Sequence, residues 1–312
     1  MVFFTFSCFL GCSSWFLFWV IFELFGWVFL VFFGKTSESF FLSANLWKIF
    51  FFQFLSSSVF LLSFCMSGNH MYDSPFLGLF FMLGVLMKLG VPPFHGWVIQ
   101  VSENLPISSF FFFNFLQKVG PSLIFIHYLD LTVQIFGLVF LLMVGSVGGW
   151  NLFSIHRFMV YSSIMNMGWI FATFHVSKLL FFNYLFCYCF VFWVFFQWLS
   201  ESSYSNMNFP ASLPSEFSSK IIFLFFVLNI MGVPPVWLFF LKFFTIKSLI
   251  FEGFFLMSVF VLLFTTIFSY MYLCLFSCQL FSKLDFHKKK NVKPLLFCLF
   301  FSSGMILYFS FF

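Results

Sequence analysis

Long apolar runs separated by short polar joints make up almost the whole chain, and about 20 apolar residues are what a helix needs to cross a hydrocarbon core. Residues 1–10 are apolar but short, and a weak break from Gly11 to Ser14 precedes a full run over 15–33. A polar joint at 34–45, with Lys35 and Glu38, leads to a third run over 46–66. After a loop at 67–75 holding Gly68, Asn69, His70, Asp73 and Pro75, a fourth run centres on 82–97. A fifth covers 108–129, and a sixth, 131–147, ends in the turn Gly148-Gly149-Trp150-Asn151. The seventh opens around Tyr161, the eighth covers 179–199, and the ninth, 221–246, follows a joint from Ser200 to Lys220 with Pro210 and Pro214. A tenth takes 253–281 and a last one 294–312. The pattern predicts an all-α polytopic membrane protein of about 10–11 transmembrane helices. It forms one membrane domain over 1–312, with no room for a soluble domain.

Two of the runs are interrupted in the same words. Residues 82–97 place Lys88 among apolar neighbours, and four residues later Pro92-Pro93 stops regular helical hydrogen bonding. A charge at mid-bilayer depth costs about 3 kcal/mol or more on insertion scales, and carbonyls freed in lipid must find water or protein. The segment is therefore expected to line a hydrated interior. Gly232-Val233-Pro234-Pro235 breaks the ninth run in the same way, and Lys242 follows. Paired broken helices in related halves, each with a lysine, point to an ion or proton path.

Further ionisable groups stand inside the runs. Glu23, between Phe22 and Leu24, must be neutral, paired or beside water, and serves either function or a hydrogen bond to a neighbouring helix. Lys118, with Gln117 before it and Gly120-Pro121 after it, repeats the theme of an ammonium beside a helix irregularity. Lys48 is close enough to a span end to reach the interface, so it reads equally as internal or as a snorkelling side chain. His95, just past the prolines, offers a ring suited to relaying protons or one satisfied by a backbone bond at the break. Ser162, Ser163, Asn166 and Gly168 suit close, hydrogen-bonded helix contacts.

Composition narrows the class. With 62% hydrophobic and 7% charged residues and a mean hydropathy of +1.08, the chain is far from a soluble globule at about 25% charged. The formal net charge of +5 does not mark a nucleic-acid partner, because the lysines and the single arginine are scattered. The exception, Lys283, Lys288, Lys289, Lys290 and Lys293, reads as a positive-inside anchor on the lipid bilayer. Eight cysteines sit mostly in Phe-rich runs, so neither disulfides nor a metal site are expected. The 66 phenylalanines, against alanine only at 44, 172 and 211, read as drift on lipid-facing surfaces under a skewed genome. The chain starts directly in apolar sequence, without an Arg-rich, Ser-rich transit pattern, so no cleavable targeting signal is expected. No Gly-rich dinucleotide turn or four-cysteine motif is present, so no cofactor is expected on this chain.

Several motifs, in order, carry a resemblance. Lys88-Leu-Gly-Val-Pro-Pro93-Phe-His95-Gly-Trp97, Gln117-Lys118-Val-Gly-Pro121, Gly148-Gly-Trp-Asn151 through Tyr161-Ser-Ser and Met167-Gly-Trp169, Gly232-Val-Pro-Pro235 with Lys242, and the Glu23 helix together resemble the chain 2 family. These are mitochondrially encoded, antiporter-like membrane subunits of NADH:ubiquinone oxidoreductase, respiratory complex I. The chain departs from that family in having Ile99-Gln100 where Pro-Glu is usual, Asn166 where histidine is common, Lys247 where acidic residues are expected, and a short N-terminus.

The resemblance implies a multi-pass subunit of the mitochondrial inner membrane, among other membrane-arm subunits, moving protons along buried charges. NADH, FMN, iron-sulfur clusters and ubiquinone are then served elsewhere in the complex. Glu23, with Lys48 as a second partner, is expected to set how readily Lys88 holds its proton. Lys88 passes it through water and His95 to Lys118, with Lys242 as the outer relay. Lysine suits the task because an ammonium taken out of water can give up its proton, which a guanidinium effectively cannot. A stand-alone cation/proton antiporter and a non-pumping structural subunit remain alternatives.

Overall fold

The computed structural model describes residues 15–36, 40–67, 75–105, 107–128, 131–150, 154–201, 217–234 and 236–280. These are helical nearly throughout. The elements are α1 (Trp15–Thr36), α2 (Phe40–Ser67), α3 (Pro75–Leu89), α4 (Gly96–Glu103), α5 (Ile107–Phe111), a π-helical turn (Phe112–Leu116) and α6 (Gln117–Tyr128). They continue with α7 (Leu131–Gly148), α8 (Ile155–Val176), α9 (Lys178–Glu201), α10 (Phe217–Met231), α11 (Trp237–Phe251) and α12 (Phe255–Leu280). This is the all-helical class read from the apolar runs, and each run between 15 and 281 has its helix or broken helix. The runs at 1–10 and 294–312, and the lysine cluster at 283–293, lie outside the described residues.

One boundary and one internal feature differ from the sequence reading. The third run was expected to start at 46, but α2 begins at Phe40, because neither glycine nor proline stands between Phe40 and Ser67 to stop it. The fifth run, 108–129, is a compound element: Pro121 lies inside α6 as expected, and a further irregularity, the π-helical turn, stands before Lys118. Stretches Ala44–Met66, Lys178–Gln197 and Phe255–Cys274 are long and apolar enough to cross a membrane.

Residue distribution is that of a protein solvated by lipid. Large side chains point outward, among them Trp47, Phe51, Phe54, Leu179, Phe186 and Leu256, and an apolar exterior on this scale needs an apolar surrounding. Buried positions include Asn45, Ser56, Ser57, Ser63, Ser122, Ser162, Ser163 and Thr173. Their hydroxyls are satisfied locally: Ser56 donates to Gln53 O at 2.7 Å, Ser163 to Val160 O at 2.6 Å and Thr173 to Ile170 O at 2.6 Å. Hydroxyls bonded to the preceding turn bury without cost to neighbouring helices.

The chain divides into two compact units, residues 1–144 and 145–312. In the first, α2 packs along α3, with the Phe60 and Phe81 rings 4.9 Å apart. Trp97 stacks on Phe52 at 5.3 Å and meets Phe113 edge-on at 5.7 Å, which fixes α4 between α2 and the π-helical turn. In the second, α8 is buried from Phe158 to Thr173 apart from Tyr161 and packs on α9, α11 and α12. Phe158 stacks on Phe268 at 5.6 Å and meets Tyr272 edge-on at 4.8 Å.

Candidate functional site

Each unit contains one broken helix, and the two breaks are closed by the same bonds. In the first, Gly90 N–H donates to Met87 O (3.1 Å), Val91 N–H to Leu86 O (3.2 Å) and Phe94 N–H to Val91 O (2.9 Å). In the second, Gly232 N–H donates to Asn229 O (3.1 Å), Val233 N–H to Leu228 O (3.2 Å) and Val236 N–H to Val233 O (3.0 Å). Such a closure needs a left-handed residue after the last turn, and both glycines supply it, with φ of +61° and +77°. The prolines that follow bring no N–H, so the helix cannot resume until α4 and α11. Pro92 is buried; Pro93, joined to it by a cis peptide bond, is exposed, as is Pro234. Pro235 lies outside the described residues.

Lys88 occupies the last turn of α3 and is 6% exposed. Glu23, half-buried on α1, acts on it electrostatically. That ammonium lies where the partial negative end of α3 also favours a cation. Lys118 is 2% exposed at the start of α6. The backbone is irregular on both sides of it. Before it, Gln117 N–H reaches back to Phe112 O in the wide π-helical register; after it, Pro121 cannot donate to the carbonyl of Gln117. Ser109, Asn114, Gln117 and Ser122 are buried on the same compound element, so its polar side is turned inward. Helix α6 packs on α3 and touches α1, so Lys118 stands on the helix that joins those of Lys88 and Glu23 within one unit.

Lys48 and His95 lie at the edge of this group. Lys48 is exposed on α2, where its ammonium donates to Gln100 Oε1 on α4 at 3.0 Å. The partner seen is thus an amide, at the position where the sequence reading noted a missing carboxylate. His95 precedes α4, half-buried, with its ring hydrogen-bonded to the backbone of Pro93.

Lys242 is set differently. It belongs to α11, after the second break, and reaches back over it, donating to Ile230 O at 3.1 Å and Met231 O at 3.0 Å. These are last-turn carbonyls of α10, which an ended helix leaves open. The ammonium sits 5.5 Å from the centre of the Trp169 ring on α8. A cavity of about 20 Å³ adjoins it, lined by Asn166, Trp169, Ser269 and Tyr272 among others, room for about one water. Tyr184 donates to Asn166 Oδ1 at 3.2 Å nearby.

Sequence reasoning did not find Trp169 and Tyr272 as neighbours of this lysine, Tyr184 as the partner of Asn166, or Gln100 as the partner of Lys48. Trp169 was visible only as part of a motif, and Tyr272 carried no signal within its apolar run. Among the described residues, no three His, Cys, Asp or Glu come together as a metal site would require.

Comparison with known proteins follows the same lines. The model of a family described as NADH:quinone oxidoreductase/Mrp antiporter, transmembrane, matches residues 12–271. NADH-ubiquinone oxidoreductase chain 2 of Bos mutus grunniens is 25% identical over 166 residues, covering 52% of this chain and 48% of that one. The chain thus spans about half the length of this relative. Among solved structures, a chain of respiratory complex I from Thermus thermophilus superposes with a TM-score of 0.77 at 18% identity, covering 93% of this chain and 74% of that one. A chain of the Mrp complex from Dietzia sp. gives 0.70 at 13% identity, with 89% and 58% covered. At such identities these two likenesses establish the fold alone.

Proposed function

Because the chain belongs to the NADH:quinone oxidoreductase/Mrp antiporter transmembrane family, we propose that it is a core membrane subunit of a proton-pumping NADH:ubiquinone oxidoreductase in the mitochondrial inner membrane. Its substrate is the proton. Electrons pass from NADH to ubiquinone in partner subunits, which hold the FMN and iron-sulfur clusters, and this chain contributes no redox centre.

The observation that carries the reading is the pairing of each helix break with a lysine withdrawn from water. Lys88 stands on the last turn before one break, and Lys242 is bonded to the carbonyls of the other. A helix end turned into the protein offers carbonyl dipoles that hold an ammonium, and a change in nearby charge then decides whether the proton stays. In the first unit that charge is Glu23. When its carboxylate draws near, Lys88 is held as the ammonium; when it withdraws or is neutralised, the proton is released toward Lys118, with His95 and internal water as intermediates. Lys242 is the corresponding carrier of the second unit. Partners in the membrane arm supply the movement of charge that drives Glu23.

Native gel separation of the solubilised membrane, with in-gel NADH dehydrogenase staining and peptide identification, tests the assignment. The chain is expected in the high-mass NADH-oxidising band. The likeness to the Mrp complex favours one other reading, a cation/proton antiporter acting outside an NADH-oxidising assembly; a small, NADH-inactive species on the same gel would establish that reading instead.

A further inference from the structure

The seat of Lys242 has three sides, and two of them are backbone. Carbonyls of Ile230 and Met231 accept two of the three ammonium protons. Gly232 forms the floor: a Cβ there would stand 2.9 Å from Lys242 Cδ and 3.1 Å from Nζ, so the lysine lies directly over the break only because that residue has no side chain. The third side is the face of Trp169, 5.5 Å from Nζ.

Volume alone does not account for tryptophan at this position. Trp169 is 2% exposed, and its indole N–H is buried with no hydrogen-bond partner among the described residues. A phenylalanine or leucine would fill much of that space and leave no polar group stranded. What tryptophan brings is the most negative ring face among the side chains, and such a face attracts a desolvated cation. No charged group among the described residues acts on Lys242 in place of that ring. Titratable groups on the helices packed against α11 include Tyr272 on α12, which lines the cavity beside Lys242, Tyr184, Cys187, Tyr188 and Cys189 on α9, and His175 at the end of α8, against the Phe254 ring. Among the described residues the carboxylate on those helices is Glu201, the last residue of α9.

We propose that Trp169 is a positioning residue that selects the protonated form of Lys242, holding the ammonium over its ring and against the break carbonyls. The neutral amine keeps no attraction to the ring and little to the helix end. It is then free to turn into the adjoining cavity bounded by Asn166, Ser269 and Tyr272. The seat thus converts the charge on Lys242 into a choice between two side-chain positions. This inference rests on the proton-carrying role proposed above for Lys242.

The test measures NADH-driven proton uptake in proteoliposomes holding the assembled complex, as a function of pH, for the native chain and for Trp169→Phe, Trp169→Leu and Lys242→Met. Loss of the ring's attraction lets the ammonium release its proton at lower pH, so the pH at which pumping falls to half moves down. The shift expected for Trp169→Leu is about one pH unit, with Trp169→Phe in between, since the order of ring attraction is Trp, then Phe, then an aliphatic side chain. A packing role would lower the amount of complex and leave the midpoint in place. If Lys242→Met loses pumping while both Trp169 variants keep the native midpoint, the seat proposal is overturned and the function reading stands. Should Lys242→Met pump normally, the function assigned to Lys242 has failed, and the seat proposal with it. If the leucine variant does not assemble, the phenylalanine variant decides by its midpoint alone.

Discussion

Gly232→Ala perturbs the seat of Lys242 through the backbone. The residue sits at φ +77°, where a Cβ costs about 1–2 kcal/mol relative to glycine. The new methyl would also lie 2.9 Å from Lys242 Cδ, 3.1 Å from Nζ and 3.3 Å from Cε, closer than side-chain carbons normally approach, so the lysine must lift away from the break. Lifting weakens its bonds to Ile230 O and Met231 O, now 3.1 and 3.0 Å, and hydrogen bonds to a charged group contribute about 1.5–3 kcal/mol each. Partial loss of both, added to the backbone strain, gives a destabilisation of the seat on the order of 3–5 kcal/mol. Gly90→Ala is the control. It carries a similar backbone cost at φ +61°, but its methyl would meet the side chains of Val98 and Trp97, and no lysine. The assay compares, for both variants, the amount of complex on a native gel and the protons taken up per NADH oxidised in proteoliposomes. Gly232→Ala is expected to lose most of its pumping per assembled complex, and Gly90→Ala to lose mainly assembled complex. Native proton uptake per NADH in Gly232→Ala would refute the reasoning, because the seat would then be dispensable.

Two further outcomes follow from other contacts. Gln100→Glu gives Lys48 a carboxylate partner in place of the amide it meets at 3.0 Å; both side chains are exposed, so the gain is at most about 1 kcal/mol, and complex level and thermal stability are expected to stay close to native. Trp97→Ala removes the ring between Phe52 and Phe113 and leaves a cavity that costs about 3–5 kcal/mol, so α4 loosens and the assembled complex on a native gel falls sharply.

The parts of this architecture that glycine and proline punctuate were legible in the sequence. Gly90-Val-Pro-Pro and Gly232-Val-Pro-Pro announce helix breaks because the residues that forbid helix are themselves the signal, and Lys88 is conspicuous among apolar neighbours. The π-helical turn was not legible. Its residues, Phe112 to Leu116, read as ordinary apolar helix, and Gly120-Pro121 drew the irregularity to the C-terminal side of Lys118 alone, whereas the chain also widens before it. Contacts across long sequence separations were hidden for a different reason. Lys48 meets Gln100 and Tyr184 meets Asn166 only because separate helices pack side by side, and spacing along one chain does not encode that. Lys242 looked like a lysine following a break; its reach back to Ile230 and Met231 depends on the missing side chain of Gly232, a vacancy that no pattern of apolar residues reveals.

The most direct measurement is the proton-to-electron ratio of the assembled complex carrying Lys88→Met. Methionine inserts more readily than lysine and fills similar space, so the chain is expected to assemble and NADH to be oxidised, with proton uptake per NADH abolished or sharply reduced. An assembled variant that pumps the native number of protons per NADH would contradict the assignment of Lys88 and, with it, the proton path built on the first broken helix.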